Sequence, residues 1–489
     1  MGRFFFLLCC RLSVPLLLLC CSCTHKPQIP ATPDNFPPEI SRIMINRCAT
    51  AGCHNAASYR NAGGLLLDSW EHLFEGGANG SVVVPYSADH SSLLYFINTD
   101  STQGPVALPT MPLNGKSLSK EDYRLMRNWI IAGAPDKNGR IAFGSEENTR
   151  QKSYLLHQGC DAIGVVDGAS GLIMRYVPVG EKSYPESLTD IQVSPDGRYV
   201  YACFWYSNKV YQLDTRTDRM IQQFTLSSSF WSRMLVSADG RQLALTNGDN
   251  HSLALIAVSD GKISYYRNAD MVNPLGLAAS KGFDTFYISS QYGNTLYQYD
   301  GAKVVQISLD GNKPTTATGG NTPDPNSIIL SPDGSRYFVC CEKSGEIRVF
   351  DRKRDSLLKV IKVGTQPSGM TLSLSRPYLF VPCSEDANGA GKFKGTVYVI
   401  DYISLTIIRR IEGAFYQPYS IAVDEQDQCF LVFNRNQDYK GPAPHHQGPC
   451  SGRNGYYNTY DLNTLQPRHN KRCEVLVDPG RASVRFRGR

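Results

Sequence analysis

No stretch of this chain is apolar for the roughly 20 residues that a membrane-spanning helix needs. The run from Leu12 to Cys21, centred on Leu16-Leu17-Leu18-Leu19, stops well short of it. Strong charge of either sign is also missing. Lys and Arg total 50 against 44 Asp and Glu, a net charge of +6. Part of that surplus lies in the tail residues Arg481, Arg485, Arg487 and Arg489. No basic stripe with interleaved aromatics occurs, which argues against nucleic acid as a partner. Hydrophobic residues make up 42% and charged residues 19%, both ordinary for globular protein. A length of 489 residues is too great for one ordinary domain.

Cysteine is abundant, at 15, but most of it is poorly placed for a disulfide framework. Cys9, Cys10, Cys20, Cys21 and Cys23 lie at the amino end. Cys203, Cys340, Cys341, Cys383 and Cys429 sit within apolar β-like runs and read as small core residues. Cys450 and Cys473 lie in more polar sequence and could pair with each other or with Cys160.

The amino end reads as a targeting segment. Arg3 and Arg11 precede the short apolar run, as in a signal peptide. That run ends in Leu19-Cys20-Cys21-Ser22-Cys23, which resembles a bacterial lipobox with Cys23 as the lipidation site. The expected layout is a signal peptide over 1–22 and a proline-rich tether over 23–37. The protein is then expected to be exported, in the periplasm or at the cell surface, and held to the membrane through a lipid anchor. An ordinary cleaved signal remains the alternative.

The motif around which the rest is organised is Cys48-Ala49-Thr50-Ala51-Gly52-Cys53-His54. Two thiols followed at once by an imidazole suit covalent haem attachment, in which each thiol adds to a vinyl group and the histidine ligates the iron. The usual spacing leaves two residues between the cysteines; here there are four, and a Cys48–Cys53 disulfide stays open as an alternative. Downstream come Gly63-Gly64-Leu65-Leu66-Leu67-Asp68-Ser69, then Val82-Val83-Val84-Pro85, Ser91-Ser92-Leu93-Leu94 and Leu108-Pro109-Thr110-Met111-Pro112. A helical pattern through Trp129-Ile130 ends in Gly133-Ala134-Pro135. This order, over about 38–137, resembles the planctomycete-type cytochrome c domain. The resemblance implies one covalent haem c, held by Cys48 and Cys53 as thioethers, with His54 as proximal and Met111 as distal iron ligand. A His/Met pair favours electron transfer over oxygen chemistry. His72 and His90 fall outside the family's ligand positions.

After a linker expected at 138–150, short β-patterned runs recur to the end of the chain. Ser194-Pro195-Asp196-Gly197 returns as Ser237-Ala238-Asp239-Gly240 and Ser331-Pro332-Asp333-Gly334, with degraded copies at Ser280, Ser373 and Asp424. The intervals between those six positions are 43, 43, 51, 42 and 51 residues. Strands ending in Asp214, Asp300, Asp351, Asp401 and Asp461 form a second ladder. A period in the low forties predicts propeller blades of four strands. Tyr199-Val200-Tyr201-Ala202 resembles the second strand of the YVTN family of β-propellers. Tyr154–His157, Ile163–Val166 and Leu172–Val177 look like a blade without its inner strand. The carboxyl end, near 475–477 or 483–486, is expected to supply it and close a seven-bladed ring over 151–489.

The fold class is therefore multidomain, with a small mainly α cytochrome c domain followed by an all-β propeller. The function expected is one-electron transfer outside the cytoplasm, with a redox partner protein or small-molecule donor or acceptor. The propeller would then be a docking or substrate-binding platform. Two alternatives stand beside this: an oxidoreductase with a separate active site in the propeller, and a non-redox surface binding protein. Insertions at Ser384–Gly395 and Asn434–Gly455 predict long loops on one face of the ring. The second holds His445, His446 and Cys450, a possible binding loop with metal-ligand chemistry. That face is expected to border the haem edge or to bind a partner.

Overall fold

The computed structural model describes residues 33–144, 149–180, 185–267, 271–315, 323–386 and 391–485. Cys23 and the whole signal segment lie outside the described residues. Among the described residues no helix is long and apolar enough to cross a membrane. From Asn35 to Arg489 the chain is one compact unit.

Seven antiparallel sheets form a seven-bladed β-propeller. The first blade shows how sequence sets a unit. Its strands are Leu188–Val193, Tyr199–Phe204, Lys209–Asp214 and Arg219–Thr225, hydrogen-bonded in that order. The outermost strand is exposed along most of its length, whereas the second is almost wholly buried. The repeated Ser-x-Asp-Gly turn has a physical cause. The Ser194 hydroxyl donates to Asp196 Oδ1 at 2.5 Å and accepts the Tyr199 N–H at 2.9 Å. Gly197 takes φ +69°, the left-handed conformation that glycine adopts without steric cost. Ser237 and Ser331 repeat the arrangement with Asp239 and Asp333. The degraded copy keeps it too, since Ser280 bonds Asp284 and the Thr285 N–H. The second ladder is a set of Asx turns: Asp214 Oδ1 accepts two backbone N–H groups, as does Asp401 Oδ1.

The ring closes through both ends of the propeller segment. Pro479–Arg485 pairs antiparallel with Lys152–His157, which continues to Ala162–Asp167 and Ile173–Pro178. This seventh blade thus takes its inner strand from the carboxyl end. Residues 475–477, the other expected source, instead belong to the outermost strand of the sixth blade, Cys473–Val477. Closure leaves only short, protected sheet edges at the axis. A buried cluster backs the seam: Lys152 Nζ lies 2.9 Å and Arg175 Nη1 3.0 Å from Asp218 Oδ2, and the Tyr154 hydroxyl donates to Asp218 Oδ1. Cys203, Cys340, Cys341, Cys383 and Cys429 are buried free thiols, as expected. Cys160 and Cys450 form a disulfide, while Cys473 is buried and free.

Before the propeller the chain is helical: α1 Pro38–Ile43, α2 Trp70–Leu73, α3 Ser92–Ile97 and α4 Lys120–Ile131. Ser119 caps α4 by accepting the Asp122 N–H at 3.1 Å. Ile40, Met44, Trp70, Leu94, Met126 and Ile130 anchor a core of its own. The Gly-Ala-Pro after α4 serves this core directly, because the Ala134 and Pro135 carbonyls accept the indole N–H groups of Trp70 and Trp129. Ala142, expected in the linker, packs in this core, and Phe143 packs against both this core and the propeller.

The helical segment is docked along the outer edge of the sixth and seventh blades. Ala78 and Asn79 carbonyls accept the Arg472 and Glu474 N–H groups at 2.9 and 3.0 Å, covering an edge strand. The Ser81 hydroxyl donates to the Ile173 carbonyl, and Val84 joins a propeller core cluster. Gly80 lies so close to Cys473 that a Cβ there would meet its side chain at 3.2 Å.

Candidate haem site

After α1 the backbone widens into a single π-type turn, Met44–Cys48, which leads straight into the motif. The turn over Thr50–Cys53 is closed by the Cys53 N–H donating to the Thr50 carbonyl, and Gly52 sits at φ +81°. The His54 N–H reaches back to the Cys48 carbonyl at 3.2 Å. The residues between Cys48 and His54 are thus folded into a compact loop, which absorbs the widened spacing of the motif. The two thiols are free, not joined to each other. Burial pushes the Cys48 thiol up to about 11.

Cys48, Cys53 and His54 line an apolar cavity of about 370 Å³. Met111 lines it as well, with Pro109 and Pro112 on either side. The Met111 N–H is fixed by the Phe96 carbonyl at 2.7 Å, which ties the methionine loop to the end of α3. Leu67, Val82, Leu93 and Ile97 contribute apolar wall. The four expected site residues therefore meet at one cavity, although the methionine stands far along the chain from the motif.

The histidine is oriented by a group that sequence reading did not single out. His54 Nδ1 lies 3.0 Å from the Leu65 carbonyl oxygen. With Nδ1–H donating to that carbonyl, the lone pair is left on Nε2, as in imidazoles that ligate metals. Leu65 belongs to the Gly63-Gly64-Leu65 segment, and this explains why two glycines stand there. The tight left-handed turn at Gly63 and Gly64 presents the carbonyl to the ring. A soft thioether, an oriented imidazole, two free thiols and an apolar wall suit a haem. His72 and His90 lie elsewhere. His72 Nδ1 is 2.6 Å from Asp68, and His90 packs on Tyr176 and meets the Ser87 hydroxyl.

The long loop of the sixth blade reaches the same cavity. His445 and His446 both line it. The His445 ring packs on Phe96 at 4.9 Å between centroids, and His446 on Tyr95 at 5.5 Å. The metal-ligand grouping considered for this loop does not assemble. Cys450 is bonded to Cys160 rather than standing with the histidines. Among the described residues no three His, Cys, Asp or Glu side chains gather as a metal site. Behind His446 lies Glu474, which sequence reading missed because it is an isolated acid in a strand. Its Oε1 accepts the His445 N–H, and its Oε2 stands 3.2 Å from His446 Nδ1 without hydrogen-bond geometry. Burial raises the Glu474 carboxyl to about 7. Burial, helped by the neighbouring His445, lowers His446 to about 4.

No family model matches the chain. It is 26% identical over 307 residues to antigen Lp49 of Leptospira interrogans serogroup Icterohaemorrhagiae serovar copenhageni, covering 60% of this chain and 64% of that protein. The match thus spans less than two thirds of that relative's length. Among solved structures, a functionally unknown protein from Desulfotomaculum acetoxidans is 13% identical with a TM-score of 0.51, covering 68% of this chain and 98% of that one. The dihydro-heme d1 dehydrogenase NirN, in complex with DHE, is 15% identical with a TM-score of 0.48 over 84% of this chain and 95% of that chain. Hydrazine synthase from Kuenenia stuttgartiensis is 14% identical with a TM-score of 0.46, over 58% and 79%. At 13% identity the likeness to the Desulfotomaculum acetoxidans protein is one of fold alone.

Proposed function

We propose that the cavity beside the propeller holds one covalent haem c and that the protein transfers single electrons outside the cytoplasm. The observation that carries this reading is the meeting of Cys48, Cys53, His54 and Met111 at one apolar cavity, with His54 Nδ1 already committed to the Leu65 carbonyl. Cys48 and Cys53 would hold the group, His54 Nε2 and the Met111 sulfur would ligate it, and when bound it supplies a one-electron couple of raised potential. The chain's own part is to exclude water with Leu67, Val82 and Leu93, to fix the imidazole, and to close the remaining side with the His445-His446 loop. In this reading the propeller is a wall of the redox site as well as a platform for a partner.

The test is expression in a strain that carries haem-maturation machinery, followed by a pyridine haemochrome spectrum and a haem stain of a denaturing gel. A c-type spectrum with haem retained on the gel is expected. Apoprotein from a strain that matures other c-type cytochromes would overturn the reading. Export and anchoring through a lipid on Cys23 complete it, on the strength of the apolar run and Ser22-Cys23 alone. Labelled palmitate should enter the wild type and not Cys23→Ala; equal labelling would move the anchor elsewhere.

A further inference from the structure

A second cavity, of about 400 Å³, lies on the axis of the propeller. All seven blades line it, among them Thr189, Arg233, Tyr292, Asn326, Ser368 and Tyr419 with Gly480 from the closing strand. Its wall is more polar than apolar, in contrast to the cavity of the helical segment. A smaller recess continues from it past Ser368 and Tyr419 to Arg481.

Three guanidiniums surround Tyr419. Arg435 stacks on its ring at 4.2 Å, Arg481 acts on it from the adjoining seventh blade, and Arg233 acts on it from the second blade. Burial alone would raise the phenol, yet these three cations bring it net below its ordinary value. Arg435 has partners of its own, Asp478 and Gln158. Arg233 and Arg481 do not pair with any carboxylate within 4.0 Å among the described residues, and the Nε of each is buried without a hydrogen-bond partner. Arg233 Nη1 donates to the carbonyl of the adjoining Ser232, at 2.8 Å, and so stays within its own strand. The acids that face the axis are otherwise engaged. Asp190 accepts the Ile191 and Met234 N–H groups, and Glu342 accepts the Asn326 amide. A buried guanidinium N–H without an acceptor is costly; Arg233 lines the axial cavity and Arg481 the recess that shares Ser368 and Tyr419 with it, so an acceptor belongs where the two spaces meet.

We propose that the axial cavity is a binding site for a small anion of carboxylate or oxyanion class, held by the guanidiniums of Arg233 and Arg481 with the Tyr419 hydroxyl as a further donor. Planar forks suit such oxygens bidentately, and the donors come from three different blades, so only a closed ring assembles them. This site is independent of the haem reading.

Calorimetric titration of the full chain with succinate, phosphate and sulfate, each balanced with chloride at constant ionic strength, tests it. One saturable site for at least one of the three is expected, with affinity reduced about tenfold or more in Arg233→Gln and in Arg481→Gln, and unchanged in His445→Ala. Saturable binding by carboxylate alone, or by the oxyanions alone, supports the site and assigns its class. No saturation at millimolar probe, or equal affinity in the doubly substituted protein, overturns the proposal. If the substituted proteins do not fold, wild-type crystals soaked separately in selenate and in bromosuccinate decide: an anomalous peak beside Arg233 and Arg481 from either supports the site, and no peak from both overturns it.

Discussion

The helical segment and the propeller order their chains by different means. In the propeller, six blades bring four paired strands and the fifth brings five, its inner strand being split into Thr365–Pro367 and Thr371–Leu372, and every blade packs on two neighbours once Pro479–Arg485 has closed the ring. In the helical segment α1, α2 and α3 have only six, four and six residues, and α4 has twelve. Helices so short are marginal alone, and beside their small packed core Leu67, Leu93 and Ile97 face a cavity. The lesson is that the propeller carries its order in its own repeats, whereas the helical segment rests on a small core, on the blade edge it covers and, under the proposed function, on the haem in its cavity.

The sharpest way to break that comparison is to replace Cys48 and Cys53 together by Ala. All covalent haem should be lost, as a haem-stained denaturing gel would read directly. Hydrogen exchange should then rise in α1 to α4 and stay unchanged in the blades. Covalent haem retained in the double variant would sink the attachment reading. Exchange that rises equally in the blades would sink the contrast drawn between the two regions. Met111→Ala is expected to act next most strongly. Covalent haem should stay, the weak sulfur-to-iron absorption band should vanish, and the potential should drop by a sizeable part of the roughly 0.8 V that axial ligation spans. An unchanged spectrum and potential would place another residue, or none, on the distal side.

Different signals made the two regions legible to different depths. The propeller was readable because Ser194, Ser237 and Ser331 each build the same turn from the same atoms, so the motif reports its own period. The blade count followed from those positions, but the closing strand did not. Residues 475–477 and 483–486 are both β-patterned, and only pairing across the whole chain distinguishes them. In the candidate site, Cys48, Cys53, His54 and Met111 were grouped by residue type, order and family resemblance, and all four line one cavity. The Leu65 carbonyl and Glu474 were not. A backbone acceptor has no residue signature, and Glu474 stands out only through its burial against the loop that begins at Asn434. The loop histidines were noticed for metal-binding chemistry, whereas aromatic packing on Tyr95 and Phe96 is what places them.

The Cys160–Cys450 disulfide offers a test of intermediate size. It joins residues 290 apart in sequence and fastens the histidine loop to the first hairpin of the seventh blade. Replacing both cysteines by Ser should lower stability by roughly 2–5 kcal/mol, measured as a shift of the denaturant midpoint without reductant. Since the bond lies in the propeller, the loss should appear in the blade transition, and covalent haem should remain. An unchanged midpoint would mean that sheet pairing at the seam already restrains this loop fully.

The smallest effect is expected at the boundary between the two regions, from Glu474→Gln. The carboxyl rises from about 4.5 to about 7 because folding buries it. The folded state therefore holds the proton more tightly than the unfolded chain, so the group's contribution is fully present below about pH 4.5 and is lost as pH rises through about 7. His446 runs the other way: burial lowers it from 6.5 to about 4, and its contribution is lost as pH falls from about 6.5 towards 4. Glutamine keeps an oxygen for the His445 N–H and does not titrate. The variant should thus match the wild type near pH 4.5 and gain on it steadily up to neutrality, by at most on the order of 3 kcal/mol. Denaturant midpoints of both proteins across that range read the difference. A gain that does not grow with pH would show that Glu474 is ionised throughout, held by His446 or Arg472, and that the boundary is an ion-paired one.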